Sequence, residues 1–476
     1  MHDDRWTISS RRVALGTLVV VALVGGAVGA YFLYSRLDRS QVRAIMAEGK
    51  AQFQERPFDT GWLAALALWD PAEALKAADH VPSAFQEDAF FEIAAGLAHA
   101  GRTTDALATA RRTKANPGAA LAEVAIGLAR SGKSNGALAA AREAFALVAP
   151  SSDKPAILAK VAAVYSELGR TDSAREMAKR AFDAAGAEPG RIVLLGNGHL
   201  LRWGANSVRI EGAGTDTLRR ITIAVQLARA GLIDEALAAI RESEGNRVSD
   251  AQTDDSRAWT LDQNAAMRAW ALAVIGPSSA QEARTTALRI SHPFLRCATL
   301  ARAGDVEEAM IAARQMEPPQ RLNTLITLVE TLVPAGLDRV ATAAAREALV
   351  TARSLGDAEA RAVGIASASA VLADAGHFEE SLEAAKEASG LMNSLSEEYR
   401  HSVAGAIALA NASLKKFHVA RTLADGSGRH RLGTYTSILF QSFLVRDGQA
   451  ATAFRKRDSD DRDRAMVLNL WLGVPQ

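Results

Sequence analysis

Residues Gly127 to Ser134 read Gly-Leu-Ala-Arg-Ser-Gly-Lys-Ser. This is the spacing of a phosphate-binding loop, in which backbone amides curl around a phosphate and a Lys-Ser pair reaches phosphate and metal. That chemistry needs a buried strand before the loop and a helix after it. Here the stretch before Lys133 is AALAEVAIGLARSG, whose Ala/Leu spacing is helical. Upstream, GLAHAGRT (Gly96 to Thr103) repeats the two glycines with Arg102 in place of the lysine. The pattern therefore reads as a turn that recurs along the chain, and no bound nucleotide is expected.

The other residues able to do chemistry are scattered. Nine histidines occur without an H-E-x-x-H or Cys/His spacing, so no metal site is assigned. Cys297 is the single cysteine, which rules out a disulfide within the chain. It stands among Phe294, Leu295, Ala298 and Leu300 and reads as a small buried hydrophobe. No G-x-S-x-G elbow is present, and no catalytic or cofactor-binding residue is assigned. The short glycine pairs Gly196/Gly198 and Gly212/Gly214 lie in an irregular stretch, residues 186 to 214, that reads as a degenerate unit or a docking element. A polar stretch at 245 to 257 reads as a surface loop. The 55 basic and 54 acidic residues balance to +1, so no nucleic-acid partner is expected.

The elements that hold these residues follow one design. An apolar helical stretch, a glycine, a polar turn and an Ala-rich helical stretch recur around Gly101, Gly132, Gly169, Gly231, Gly304, Gly336 and Gly376. Glycine there suits a helix end that needs a left-handed backbone. Five residues on stand Ala106, Ala137, Ala174, Ala236, Ala309, Ala341 and Ser381; four further on stand Ala110, Ala141, Ala178, Ile240, Ala313, Ala345 and Ala385. A four-residue step returns to the same helix face, where small side chains let a neighbouring helix approach. Lys415 takes the glycine position before Ala420 and Ala424, and Gly448 precedes Ala453. The intervals of 62 and 73 residues after Gly169 and Gly231 are about twice the others, so a degenerate unit is expected in each, marked by Gly204 and Gly276.

A period close to 35 and the A-G-x-x-x-x-A core resemble tetratricopeptide repeats, helix–turn–helix units of about 34 residues. The resemblance covers most of the chain beyond about residue 60. It implies an all-α, right-handed solenoid of about eleven helical hairpins, and a protein or peptide partner held in the concave groove lined by the first helices. The residues two before each turn glycine, His99, Arg130, Glu167, Arg229, Arg302 and Asp374, are then near that groove. Of these, His99, Arg130, Arg229 and Arg302 are the candidate partner-binding residues; the alternative is that they are ordinary solvated side chains. The basic residues ten after each glycine, Arg111, Arg142, Lys179, Arg241, Arg314, Arg346 and Lys386, would face outward on the second helices. Glu143, Glu242, Glu347 and Glu387 follow four of them directly.

Residues 13 to 35 carry no charge. As a helix they would be roughly 35 Å long, enough to span a bilayer core; the competing reading is a cleaved signal peptide with Val28-Gly29-Ala30 as its small-residue cleavage site. The expected organisation is a tail at 1–12, a transmembrane anchor at 13–35, a linker and first helix at 36–60, repeats at 61–185, irregular or degenerate repeats at 186–280, and repeats with a C-terminal cap at 281–476. The functional expectation is a single-pass scaffold or adaptor of the bacterial cytoplasmic membrane, its bulk extracytoplasmic, with an envelope-assembly or chaperone-like role. The rival is an enzyme with a site in residues 186 to 260, such as an envelope-polymer hydrolase.

Overall fold

The computed structural model describes residues 39–55, 60–148, 154–187, 191–195, 207–211, 215–243, 254–428 and 431–472. The helices, in chain order, are α1 (Arg39–Glu55), α2 (Thr60–Trp69), α3 (Pro71–Ala78), α4 (Ser83–His99), α5 (Thr103–Ala110), α6 (Pro117–Arg130), α7 (Ser134–Ala146), α8 (Lys154–Glu167) and α9 (Thr171–Ala187). Strands β1 (Arg191–Leu195) and β2 (Ser207–Glu211) follow. Then come α10 (Thr215–Arg229), α11 (Ile233–Ser243), α12 (Asp254–Ile275), α13 (Ala280–Ala287), α14 (Pro293–Arg302), α15 (Val306–Arg314), α16 (Pro318–Leu332) and α17 (Asp338–Arg353). The last are α18 (Ala358–Asp374), α19 (Phe378–Leu391), α20 (Glu397–Ser413), α21 (Phe417–Asp425), α22 (Arg431–Arg446) and α23 (Gly448–Leu472).

The helical hairpins are built by one turn. Gly101, Gly132, Gly169, Gly231, Gly304, Gly336 and Gly376 all have φ between 71° and 82°. At Gly132 the amide donates to the Ala129 carbonyl at 3.0 Å and the Lys133 amide to the Leu128 carbonyl at 2.8 Å. This pair of bonds is the Schellman end of a helix, and it satisfies carbonyls that the last helical turn leaves open. Lys415 adopts the same conformation without being glycine, with φ 59° and the same bonds, its amide to Ala412 O and that of Lys416 to Asn411 O. The expected marker Gly276 also has a left-handed φ, 106°, whereas Gly448 opens a helix instead of closing one. Gly204 lies outside the described residues. Proline opens several first helices, Pro117 and Pro318 among them, where its fixed φ suits the first turn and its missing N–H costs nothing.

The small residues after each turn are the helix contacts. Ala106, Ala137, Ala174, Ala236, Ala309, Ala341 and Ser381 are fully buried, and the positions four further on are at most 5% exposed. Ser381 replaces the alanine contact with reciprocal bonds: its hydroxyl donates to the Ser369 carbonyl at 2.8 Å, and the Ser369 hydroxyl to the Ser381 carbonyl at 2.9 Å.

Two compact units divide the chain. The first takes α1, α2 and the segment Ala313–Ala451. In it the hairpins α16/α17, α18/α19 and α20/α21 stack in sequence and α22 follows. Helices α1 and α2 pack on α22, where the Trp69 indole N–H donates to the Leu439 carbonyl at 3.2 Å and Glu48 accepts from the Tyr435 hydroxyl at 2.8 Å. The second unit takes Asp70–Ala312 and the chain from Thr452 on. Its hairpins are α4/α5, α6/α7, α8/α9, α10/α11 and α12/α13, with α14/α15 joined by the Gly304 turn at the end of the unit, and each first helix packs on the next.

Three expectations are corrected. The described residues are helical except for an antiparallel two-stranded sheet, β1 with β2, pairing Arg191 with Glu211 through Leu195 with Ser207. It stands where a degenerate helical unit was expected. The array passes it without a gap, because α8 and α9 pack directly on α10 and Arg175 pairs with Glu235 at 3.1 Å. The expected anchor at residues 13–35 lies outside the described residues, and no helix among the described residues is long and apolar enough to cross a membrane. Assignment as a single-pass protein of the bacterial cytoplasmic membrane with an extracytoplasmic bulk is therefore withdrawn. The count of about eleven hairpins becomes, among the described residues, six in the second unit and three in the first, with α1 to α3, α22 and α23 outside that turn pattern.

Candidate functional site

In the second unit α23 is one of the segments that belong to no hairpin. From Thr452 on, α23 lies along the first helices, and a side chain from each of α4, α6, α8, α10, α12 and α14 takes part in its contacts. It does so although residues 455 to 464 read Arg-Lys-Arg-Asp-Ser-Asp-Asp-Arg-Asp-Arg. Ala453, Phe454, Met466, Val467 and Leu470 are buried and supply apolar contact. Between them the contacts are between charged groups.

At its N-terminal part the partners are acidic. Arg457 Nη2 donates to Glu92 Oε2 at 3.0 Å, and its Nε lies 3.6 Å from Glu123 Oε1. The other oxygen of Glu123 accepts from Lys160 Nζ at 2.6 Å. Lys456 Nζ donates to Glu167 Oε2 at 3.0 Å. Further along, the partners are basic. Asp463 is fully buried; its carboxylate accepts from Arg302 Nε at 3.2 Å, from the Trp270 indole N–H at 3.1 Å, and from Arg229. Burial holds the Arg302 pKa below its ordinary value, and the neighbouring Asp463 charge offsets that only in part.

The candidate partner-binding residues sit in this arrangement. His99 is fully buried, with its ring centroid 5.3 Å from that of Phe454. Its Nδ1 donates to the Ala95 carbonyl at 2.8 Å, the tautomer in which that nitrogen carries the proton. Burial first, and then the Arg457 charge, push the imidazole pKa down to about 3, so the ring is neutral at physiological pH. Arg229 and Arg302 hold Asp463 directly. Arg130 joins through Glu167, 3.3 Å away. Asp374 lies in the first unit and accepts from the Ser413 hydroxyl at 3.0 Å. Glu92, Glu123 and Lys160 were not among the candidates. They stand seven residues before His99, Arg130 and Glu167, two helical turns back on the same face, and that spacing was the signal available. Asp88, one turn before Glu92, has its carboxyl pKa raised to about 7 by burial and then by Glu92 and Glu87.

Part of the outward stripe is also paired between hairpins. Arg111, Arg142, Lys179, Arg241, Arg314, Arg346 and Lys386 are all exposed. Arg111 makes a two-pronged pair with Glu143 of the next hairpin, at 2.9 and 2.7 Å. Arg314 does the same with Glu347 at 3.1 and 3.0 Å, and Arg346 reaches Glu380 at 2.6 Å. Exposed pairs of this kind contribute little to stability.

Among the described residues no geometry for catalysis gathers around the remaining candidates; Gly196, Gly198, Gly212 and Gly214 lie outside them. Cys297 is buried, and its thiol pKa is pushed up to about 12, so it is not a nucleophile. In the phosphate-loop pattern, Gly127 to Arg130 lie within α6, and the amides of Ser131, Gly132 and Lys133 donate to carbonyls of that helix. A cradle needs those amides turned outward. No group of three or more His, Cys, Asp or Glu side chains among the described residues is placed to hold a metal ion.

No family model and no curated protein matches the chain. Among solved structures it is similar to Ton1535 from Thermococcus onnurineus NA1, with 14% identity over 73% of this chain and 98% of that one, TM-score 0.32. It is similar to yeast Tom70 at 12% identity, covering 86% and 96%, TM-score 0.21. A circular tandem repeat protein with a novel repeat topology matches at 12% identity over 91% and 98%, TM-score 0.19. The helical-repeat assignment stands on the hairpins themselves.

Proposed function

We propose that the chain is a non-catalytic helical-repeat scaffold of the tetratricopeptide type, which grips a helical segment of a protein partner along the first helices of its second unit. The observation that carries this reading is α23, a helix seated on that face by Phe454, Lys456, Arg457 and Asp463. A repeat array offers one continuous face to an elongated ligand because each unit contributes a similar position. Here those positions are His99, Arg130, Glu167, Arg229 and Arg302. Amphipathic helices laid in grooves are a recurring mode of protein recognition. The mixed signs along the face suit a protein helix better than a polyanion. The expected mechanism is binding and positioning, without nucleotide, metal or cofactor.

Photo-crosslinking in the native host tests this. A benzoylphenylalanine at position 130 or 229 of the full chain is expected to capture a defined protein segment, and one at the outward position 111 is not. Capture at 111 alone, with 130 and 229 joined only to residues 452–472 of the same chain, would reject the groove.

A further inference from the structure

We infer that the segment from Thr452 to Leu470 is an internal ligand, exchangeable with the helix of a partner that carries the same order of charge. The inference deepens the scaffold reading and rests on it. The partner it defines is a helix with an aromatic residue, a Lys-Arg pair two and three positions later, and an aspartate six positions after the arginine.

Charge order comes first. Nine of the ten residues from Arg455 to Arg464 are charged, so burial of apolar surface does not explain why this stretch lies against protein. The contacts beneath it change sign along the helix: Glu92, Glu123 and Glu167 meet Lys456 and Arg457, with Lys160 and Arg130 also paired to Glu123 and Glu167, and Arg229 and Arg302 meet Asp463. A helix laid in the opposite direction would set arginine on arginine. The face therefore selects both direction and register, which is how electrostatic complementarity confers specificity.

Energetics come second. A buried ion pair roughly cancels its own desolvation cost, so it selects a geometry without adding much stability. Most of the net hold on α23 then falls to Phe454, Met466, Val467 and Leu470. A competing helix with the same charges and comparable apolar residues meets an equal site.

Independence comes third. The first helices pack on one another in sequence, α4 on α6, α6 on α8, α8 on α10, α10 on α12 and α12 on α14. None of those contacts passes through α23. One residue, Asp447, separates it from α22, and its carboxylate caps the helix by accepting from the Ala450 amide at 2.9 Å. The Lys456–Glu167 pair stays open to solvent, with the Lys456 side chain 52% exposed, and is a place where exchange can begin.

The test uses the full chain and a labelled synthetic peptide of residues 448–472. In the Asp463→Lys variant the chain's own helix sets lysine against Arg229 and Arg302 and is disfavoured. The peptide is expected to bind this variant at least tenfold more tightly than the unmodified protein. A peptide with Lys456→Glu, Arg457→Glu and Asp463→Lys is expected to bind neither. Equal binding of the first peptide to both proteins, or binding to neither, would overturn the inference. Hydrogen exchange on the unmodified protein decides the matter should the variant fail to fold. Amides of α23 are expected to exchange at least tenfold faster than those of α6 and α14; exchange at the same rate as those helices would make α23 a fixed part of the core. Partner capture at positions 130 and 229 alongside equal peptide binding would sink the internal ligand and leave the scaffold standing. Absence of partner capture removes the scaffold reading itself.

Discussion

Asp463→Asn isolates the charge that ties α23 to the basic part of its groove. The substitution keeps an oxygen for the Trp270 indole N–H, now 3.1 Å from Asp463 Oδ1, and changes the side-chain volume little. What it removes is the negative charge facing Arg302, whose side chain is 7% exposed, and Arg229. Breaking one partner of a buried pair leaves an uncompensated charge and costs about 3–5 kcal/mol. Arg229 is 20% exposed and recovers some hydration, which puts the expectation at the lower end, about 3 kcal/mol. Replacing both Asp463 and Arg302 by leucine is expected to cost less than the sum of the two single replacements, because the double variant strands only one charge. Denaturant unfolding with fitted midpoint and slope reads the global effect. Hydrogen exchange reads the local one, which matters because repeat arrays open unit by unit. A loss below about 1 kcal/mol for Asp463→Asn, with exchange in α14 unchanged, would refute the buried pairing.

Other outcomes follow from single residues. Lys415→Gly is expected to stabilise by about 0.5–1 kcal/mol, since relief of the left-handed backbone at φ 59° exceeds the entropy glycine adds to the unfolded chain; an unchanged or lower melting midpoint would refute it. Ala137→Leu places a large side chain at a fully buried helix contact and is expected to cost about 1–3 kcal/mol, read by denaturation, with loss of exchange protection beginning in α6 to α8. His99, neutral when buried, has a folded pKa of about 3 against 6.5 for the free side chain. The unfolded state then binds the proton more tightly, so stability is full above pH 6.5 and falls as pH drops, by about 2 kcal/mol at pH 5. Asp88 runs the other way: with its folded pKa raised to about 7, its contribution is full below pH 3.8 and is lost as pH rises towards 7. Asp88→Asn is therefore expected to raise the melting midpoint at pH 8, to leave it unchanged at pH 3.5, and to steepen the loss of stability between pH 6.5 and 4. Purified protein is expected not to hydrolyse ATP, and hydrolysis abolished by Lys133→Ala would restore the phosphate-loop reading.

The hairpins were legible because their demands are local. A left-handed turn calls for glycine, and a close helix contact calls for alanine, so Gly132 with Ala137 and Ala141 reveals a unit without any knowledge of its neighbours. Even the exception was readable, since Lys415 stood at the glycine position and takes the glycine conformation. His99, Arg229 and Arg302 could be placed on one face by counting back from the turn. The helix that meets them could not. Residues 455 to 464 look like a solvated run, and only the tertiary course of the chain brings Arg457 onto Glu92, 365 residues away in sequence. The paired strands at Ile192 and Ile210 escaped for a related reason. Two five-residue strands carry too few alternations to stand out, and their pairing joins segments across the intervening residues.

The placement of α23 on the first-helix face is open to one direct measurement. A carbodiimide joins an amine to a carboxylate with no spacer, so it links only side chains already in contact. Lys456 and Glu167 are 3.0 Å apart, with 52% and 18% of their side chains exposed. Treatment of the dilute full-length protein, followed by digestion and mass spectrometry, is expected to yield a peptide pair joined between Lys456 and Glu167 within one chain, and to lose it in the Glu167→Gln variant. Lys456 left unjoined, or joined only to carboxylates outside α8, would contradict the seating of this helix.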